Sequence, residues 1–321
     1  MFALPDKWVW DFWFAEDGGD HHLFYLQAPR TLGDPELRHH HATIGHAVSA
    51  DFASWQVLPD ALTPGEAGSW DDLAVWTGSA IAHGGGWSML YTGISRSEGG
   101  LVQRIGLATS TDLLHWEKHP DNPVLEADPR FYEQLDQGRW RDQSWRDPWL
   151  FRHGDDGYVH ALITARSPCG PPDGAGVVAH ARSRDLVAWE VLPPLTEPGE
   201  FAQVEVPQLV ELGGSHVVLF SCLAEDHSKR RRERLGAAGR AGTFAFCSTS
   251  LLGPYRPTDE PIAPPSPTRG VLYAGKIVGT GPGRHGLVGF RMGNGSAFVG
   301  ELDGPLPVSA DGQAGVVLDA G

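Results

Sequence analysis

Three acidic residues stand alone among aromatic or apolar neighbours, where a carboxylate is costly unless it has a task. Asp11 lies in WVWDFWF, flanked by Trp8, Trp10, Phe12, Trp13 and Phe14. An unpaired carboxylate buried among rings is unfavourable. A subsite in which Trp10 and Trp13 offer flat faces to sugar C–H groups therefore outweighs a strand with one tolerated charge. Asp147 lies in SWRDPWLF, between Arg146 and Pro148 and flanked by Trp145 and Trp149. It reads either as an Arg-Asp turn or as an ionised carboxylate that accepts bonds from sugar hydroxyls, with Arg146 as donor. Glu205 is the one charge in FAQVEVPQLV. Desolvation is expected to raise its pKa, as a general acid near neutral pH requires; the alternative is an outward-facing strand residue. A carboxylate that attacks or acts as base, and a carboxylic acid that protonates the leaving oxygen, are the pair that cleaves a glycosidic bond.

Other clusters carry weaker chemistry. Asp71 and Asp72 in SWDDLAVWTGSAI read as a loop entering a strand, with Trp76, Thr77 and Ser79 placed to wall a pocket. His21, His22, His39, His40, His41, His46 and His83 invite a metal reading. Without HExxH spacing or a nearby carboxylate on the same element, solvated loop histidines are the expectation, and no metal or other cofactor is implied. Gly84-Gly85-Gly86 reads as a hairpin turn, because no helix follows to make a phosphate loop.

The elements that must position these residues repeat. A Ser, then Asp-Phe or Asp-Leu, then an aromatic recurs in GHAVSADFASW, GLATSTDLLHW and VVAHARSRDLVAW, and more loosely in FAFCSTSLLGPY, ending on Trp55, Trp116, Trp189 and Tyr255. The Asp or Ser can bond turn backbone while the aromatic packs on a sheet. A short apolar strand precedes each: HLFYLQA, WSMLYTGI, YVHALITAR and HVVLFSCL. GLVGFRMGNGSAFVGELDG supplies a fifth unit without the turn. The period, roughly 60–75 residues, exceeds a ~40–45-residue propeller blade, and loops lengthen blades readily. The expectation is an all-β, five-bladed β-propeller, one catalytic domain over residues 1–321; a β-sandwich would leave the repeat unexplained. A propeller gathers the first strand of each blade around one axis, so acids far apart in sequence meet at one mouth. The polar, basic stretch 225–242 is expected to be an exposed, mobile loop.

Composition narrows the partners. The 321 residues include 41 Gly and 25 Pro, punctuation for many short elements. Asp+Glu number 40 against 25 Lys+Arg, a net charge of −15, which disfavours nucleic acid and anionic membranes. No run of about 18 apolar residues is present, and the N-terminus lacks a secretory pattern. Cys169, Cys222 and Cys247 form no CxxC pair, which suits a reduced compartment. The expectation is a cytoplasmic protein acting on a small saccharide.

These motifs resemble the catalytic propeller of glycoside hydrolase family 32, with touches of the family 68 levansucrases. The resemblance runs from Trp10 to about Phe298 and rests on HLFYLQAP at 22–29, GHAVSADFASW at 45–55, WTGSA at 76–80, YTG at 91–93, NPV at 122–124, RDP at 146–148, EVP at 205–207 and YAGK at 273–276. It implies Asp11 as nucleophile, Asp147 as transition-state stabiliser and Glu205 as acid/base. It implies Trp76 and Ser79 as walls of the scissile-sugar subsite, with Gln27, Tyr273 and Lys276 in substrate contact. The implied activity is a retaining β-D-fructofuranosidase or fructosyltransferase. The nucleophile motif departs from N-D-P-N-G toward the W-D-S-W of levansucrases, Val206 stands where E-C-P has cysteine, and Leu26 stands where glutamine is expected, with Gln27 one place on. The C-terminal β-sandwich common in the family is not expected within this sequence. An inverting arabinofuranosidase or xylosidase resembling family 43, and a non-catalytic sugar-binding propeller, are the competing readings.

Overall fold

The computed structural model describes residues 1–154, 156–293, 297–311 and 315–319. Asn294, Gly295 and Ser296, within the expected fifth unit, lie outside the described residues. Among those described, twenty strands form five four-stranded antiparallel sheets, each in sequence order. Blade I holds β1 (Lys7–Asp17), β2 (Asp20–Pro29), β3 (Thr43–Ser49) and β4 (Gln56–Leu62). Blade II holds β5 (Ala74–His83), β6 (Gly86–Ile94), β7 (Arg104–Ser110) and β8 (Glu117–Lys118). Blade III holds β9 (Trp145–Arg152), β10 (Val159–Arg166), β11 (Gly176–Ser183) and β12 (Trp189–Leu192). Blade IV holds β13 (Glu205–Leu212), β14 (Ser215–Cys222), β15 (Gly242–Ser248) and β16 (Arg256–Pro257). Blade V holds β17 (Val271–Gly281), β18 (Arg284–Gly293), β19 (Leu302–Asp311) and β20 (Gly315–Leu318). The first strands β1, β5, β9, β13 and β17 contact one another in a ring that closes from β17 to β1. Phe2 exchanges both backbone bonds with Leu302, and the Val9 amide donates to the Gly300 carbonyl, so the start of the chain fastens the last blade to the first. The fold is the five-bladed propeller that the repeat predicts.

The repeated turn explains itself in atoms. In blade I, Asp51 Oδ1 accepts from the Ala53 and Ser54 amides at 2.8 Å, and Ser49 Oγ donates to the same oxygen. Asp112 and Asp185 do the same in blades II and III. Each turn drives the next residue left-handed, at φ 59° for Phe52, 62° for Leu113 and 67° for Leu186. The indole Nε1 of Trp55, Trp116 and Trp189 then donates to that residue's carbonyl. Local side-chain bonds offset a conformation that bulky residues otherwise avoid.

The inner strands carry a second repeat that the sequence shows only in part. Trp10, Trp76, Arg146, Glu205 and Tyr273 pair with Leu26, Thr92, Thr164, Ser221 and Phe290 of the second strands. Immediately after each comes a β-bulge, at Asp11, Thr77, Asp147, Val206 and Ala274. Pro148 and Pro207 follow two of these bulges, positions where a strand tolerates a residue without an N–H. Asp147, Val206 and Ala274 have φ of 57°, 55° and 51°. Bulges re-aim side chains, and here Asp11, Thr77, Asp147 and Val206 face one cavity.

The basic stretch differs from expectation. Lys229–Leu235 is a helix, α1, capped by Ser228, whose side chain accepts from the Arg231 amide. Arg231 is fully buried: it pairs with Glu200 at 3.0 Å, donates to the Thr258 and Asp259 carbonyls, and lies over the Phe201 ring. Arg234 bonds Glu200 and Asp259, and Arg240 bonds Glu260. Acidic partners distant in sequence turn a charge run into a docked segment. No helix among the described residues is long and apolar enough to cross a membrane.

Candidate active site

Asp11, Asp147 and Glu205, from β1, β9 and β13, line one cavity of about 680 Å³ at the mouth of the ring. Its walls include Trp10, Leu26, Arg38, His39, Trp76, Thr77, Arg146, Tyr273 and Phe290. Another groove of about 690 Å³ runs along β16 and β20 and contains none of the three acids.

Each carboxylate has a different setting. Asp11 Oδ2 accepts from the Thr77 hydroxyl at 2.9 Å. Burial pushes its pKa up to about 7, helped by the negative fields of Asp147 and Glu205 and opposed by Thr77 and Arg38. Asp147 Oδ2 accepts from the Thr164 hydroxyl at 2.9 Å and the Val206 amide at 3.1 Å, with Arg146 Nε 3.7 Å away. Burial raises its pKa too, against the pull of Arg146. Glu205 accepts from Arg146 Nη2 at 2.6 Å and from the Tyr273 hydroxyl at 2.5 Å. Burial alone would raise the Glu205 pKa, but Arg146 and Tyr273 outweigh it and hold the group below the usual glutamate value. The expected upward shift is therefore corrected: burial is legible in FAQVEVPQLV, whereas the cation that opposes it comes from β9.

Several named residues sit elsewhere than expected. Gln27 points away from the cavity and donates to Asp60 at 2.7 Å and Thr43 at 3.2 Å, while Leu26, one place earlier, forms the wall. Strand alternation is the reason. Trp13 is fully buried and stacks on Phe24, so it offers no face to a ligand. Ser79 is buried and accepts from the Leu150 amide at 2.8 Å. Lys276 is buried behind the bulges, donating to the Val206 and Pro207 carbonyls at 2.9 and 3.2 Å; burial pulls its pKa down to about 7, against the fields of Asp147 and Asp11. Asp71 and Asp72 are structural: Asp71 binds Tyr91 and Lys118, and Asp72 accepts from the Gly68 and Arg96 amides.

The histidines divide: His40 and His41 are exposed, as expected, whereas His21, His22, His39, His46 and His83 are wholly or partly buried. His39 lines the cavity near the Trp10 and Trp76 rings, and its carbonyl accepts from Trp76 Nε1. His46 is buried and bonded to His22 at 3.0 Å, and His180 to His160 at 2.9 Å. Among the described residues, no three His, Cys, Asp or Glu side chains are arranged to hold a metal ion. Sequence reading missed Arg38, His39 and Asp226. Asp226 is 5% exposed, and burial, with the field of Glu205, pushes its pKa up to about 6. Its only signal is an acidic pair, Glu225 and Asp226, at the edge of a basic run.

Three acids on separate inner strands, converging on one cavity of a five-bladed propeller, define the architecture of the β-propeller glycosidases. The chain matches the glycosyl hydrolases family 32 N-terminal domain over residues 12–244, and it belongs to that family. The match starts one residue after Asp11. A sucrose-6-phosphate hydrolase of Zymomonas mobilis is 29% identical over 216 residues, covering 63% of this chain and 38% of that protein. An extracellular sucrase of the same organism is 27% identical over 298 residues, covering 78% and 69%. The chain thus spans about two fifths of the first relative and about two thirds of the second. An inulosucrase from Halalkalicoccus jeotgali, solved with kestose, superposes with a TM-score of 0.77 at 24% identity, covering 99% of this chain and 91% of that one. That likeness speaks to the fold.

Proposed function

We propose that the protein is a retaining glycosidase or transglycosylase acting on β-D-fructofuranosides or small fructo-oligosaccharides, with Asp11 as nucleophile, Asp147 as stabiliser and Glu205 as acid/base. The observation that carries this reading is the convergence of the three acids on one cavity in a chain of family 32. Asp11 attacks the anomeric carbon while Glu205 protonates the departing oxygen. Glu205 then takes a proton from water or a sugar hydroxyl, which opens the glycosyl-enzyme ester. Asp147 and Arg146 hold ring hydroxyls, and Trp10 and Trp76 supply the apolar walls. A cytoplasmic, small imported saccharide is the setting this reading favours.

The proton favours the wrong group for the first step. Burial raises the Asp11 pKa to about 7, so it carries a proton below that pH, while Arg146 and Tyr273 keep Glu205 ionised. The reactive form has the proton on Glu205. Both forms carry one proton and the same charge, so pH does not interconvert them. A bound sugar whose hydroxyls draw Arg146 away from Glu205 would favour the reactive form. Incubation with sucrose, inulin-type oligosaccharides and arabinofuranosides tests the reading, with the anomeric form of the first sugar released followed by NMR. Fructose released initially as the β-anomer is expected. Turnover of arabinofuranosides alone, or an inverted first product, would overturn it.

A further inference from the structure

The acids converge, but what holds them in mutual register is a set of buried hydroxyls. Thr92 on β6 has no exposed surface. Its hydroxyl donates to the Thr77 carbonyl at 3.0 Å and accepts from the Asp147 amide at 3.0 Å. The Thr77 side chain in turn donates to Asp11 at 2.9 Å. One hydroxyl on blade II thus joins the Asp11 bulge of blade I to the Asp147 bulge of blade III. Both of its bonds go to backbone groups that the bulges remove from their ladders, at residues whose side chains face the cavity.

We propose that Thr92 is a positioning residue that fixes Asp11 and Asp147 relative to one another through Thr77. The inference rests on the proposed function for its effect on rate, and on the hydrogen-bond chain alone for its effect on Asp11. Thr92 does not touch the cavity, so it acts only through those two bonds. Without its hydroxyl, the Thr77 peptide is free to shift, the bond to Asp11 weakens, and the Asp147 amide loses its acceptor. A loosened Asp11 holds its proton more tightly, because the Thr77 bond is among the contacts that lower its pKa. Misplacement of a reacting group by a fraction of an ångström lowers kcat more than it changes KM.

The test compares Thr92→Val and Thr92→Ala, which remove the hydroxyl, with Thr92→Ser, which keeps it. The full chain is labelled at its aspartate carboxyl carbons, the Asp11 signal is assigned from Asp11→Asn, and each variant is titrated by ¹³C NMR. Sucrose turnover is measured in parallel. In whichever of the valine and alanine variants folds, the Asp11 midpoint should rise by about half a pH unit or more, and kcat should fall by about tenfold or more with KM little changed. Serine should restore both. An unmoved Asp11 midpoint in a folded valine or alanine variant, or no recovery with serine, overturns the proposal. Should the wild type turn over no fructofuranoside while the midpoint still moves, the functional reading fails and the positioning role stands.

Discussion

The inner ring has two unlike halves. At the joints between blades II and III, III and IV, and IV and V, a second-strand hydroxyl grips the next blade's bulge. Thr92 accepts from the Asp147 amide, Thr164 from the Val206 amide at 3.2 Å, and Ser221 from the Ala274 amide at 2.8 Å. At the equivalent positions of blades I and V stand Leu26 and Phe290, which have no hydroxyl to offer and instead line the cavity. The gripped half carries Asp147 and Glu205 and three left-handed, non-glycine residues. The open half carries Asp11, whose one side-chain hydrogen bond among the described residues comes from Thr77. The proposed stabiliser and acid/base sit where the backbone is tied. The proposed nucleophile sits against apolar walls, where desolvation raises its proton affinity.

The largest effect should come from the open half. Asp11→Asn removes the proposed attacking oxygen and is expected to lower kcat by on the order of 10⁴-fold, as loss of a group acting at the reacting atoms does. Thermal unfolding should change little, since the Thr77 hydroxyl can bond the amide oxygen. Turnover within about tenfold of wild type would place the nucleophile elsewhere and dissolve the contrast.

Acid unfolding should ignore the contrast altogether. Blade I and blade III carry matching buried histidine pairs, and burial pulls both His46 and His180 down to about 4, with a neighbouring histidine adding to the effect. Both pKa values lie below the ordinary value of 6.5. The unfolded chain therefore binds protons that the folded one refuses, and stability falls as pH drops from 6.5 toward 4. The loss is about 3 kcal/mol per pair. Chemical denaturation at pH 7 and pH 4.5 measures it. His46→Leu and His180→Leu, the residue type that blade II carries at this place as Leu107, should each flatten the slope by a similar amount. A flattening confined to one blade would show that the halves differ in more than their catalytic groups.

The pH–rate profile gives a smaller, graded effect. On the proposed mechanism the Asp11–Glu205 pair works with one shared proton, and that proton leaves with an apparent pKa set by Asp11, about 7. Above it, kcat/KM should fall by about tenfold per pH unit. A profile flat to pH 9 would mean that the open half does not hold the proton.

These contrasts were unequally legible in the sequence. The outer turns do the same task in three blades, so Ser49, Asp51 and Trp55 recur as Ser110, Asp112 and Trp116, and again as Ser183, Asp185 and Trp189; a repeat of that kind reveals the propeller. The inner bulges do five different tasks, so their residue types diverge and no shared pattern shows. Pro148 and Pro207 betray two of them, because proline inside a strand implies a bulge. Nothing comparable marks Asp11 or Thr77. Residues whose partners are remote were the hardest to read. Glu205 meets an arginine 59 positions away, and Arg231 meets Glu200, Thr258 and Asp259 across 31, 27 and 28 positions. His39 belongs to a run of three histidines, and composition does not single out the one that stands beside Trp10 and Trp76.

The smallest expected effect probes the strain that the grips sustain. Val206 is β-branched and sits at φ 55°, where its side chain crowds the backbone. Its amide is held by both Asp147 Oδ2 and Thr164 Oγ1. Val206→Gly relieves the crowding, worth about 1–2 kcal/mol. It also frees the unfolded chain, which costs about 0.5–1 kcal/mol, and gives up apolar contacts of a residue only 2% exposed. These contributions oppose one another, so stability should stay within about 1 kcal/mol of wild type. In Thr164→Val one of the two bonds that hold the bulge is gone, and the balance changes. Glycine should then be more stabilising than it is in the wild-type background, by about 0.5–1 kcal/mol of coupling in a double-mutant cycle. Additive effects would show that the hydroxyl does not sustain the strain, and that the gripped half owes its shape to Pro207 and the ladder around it.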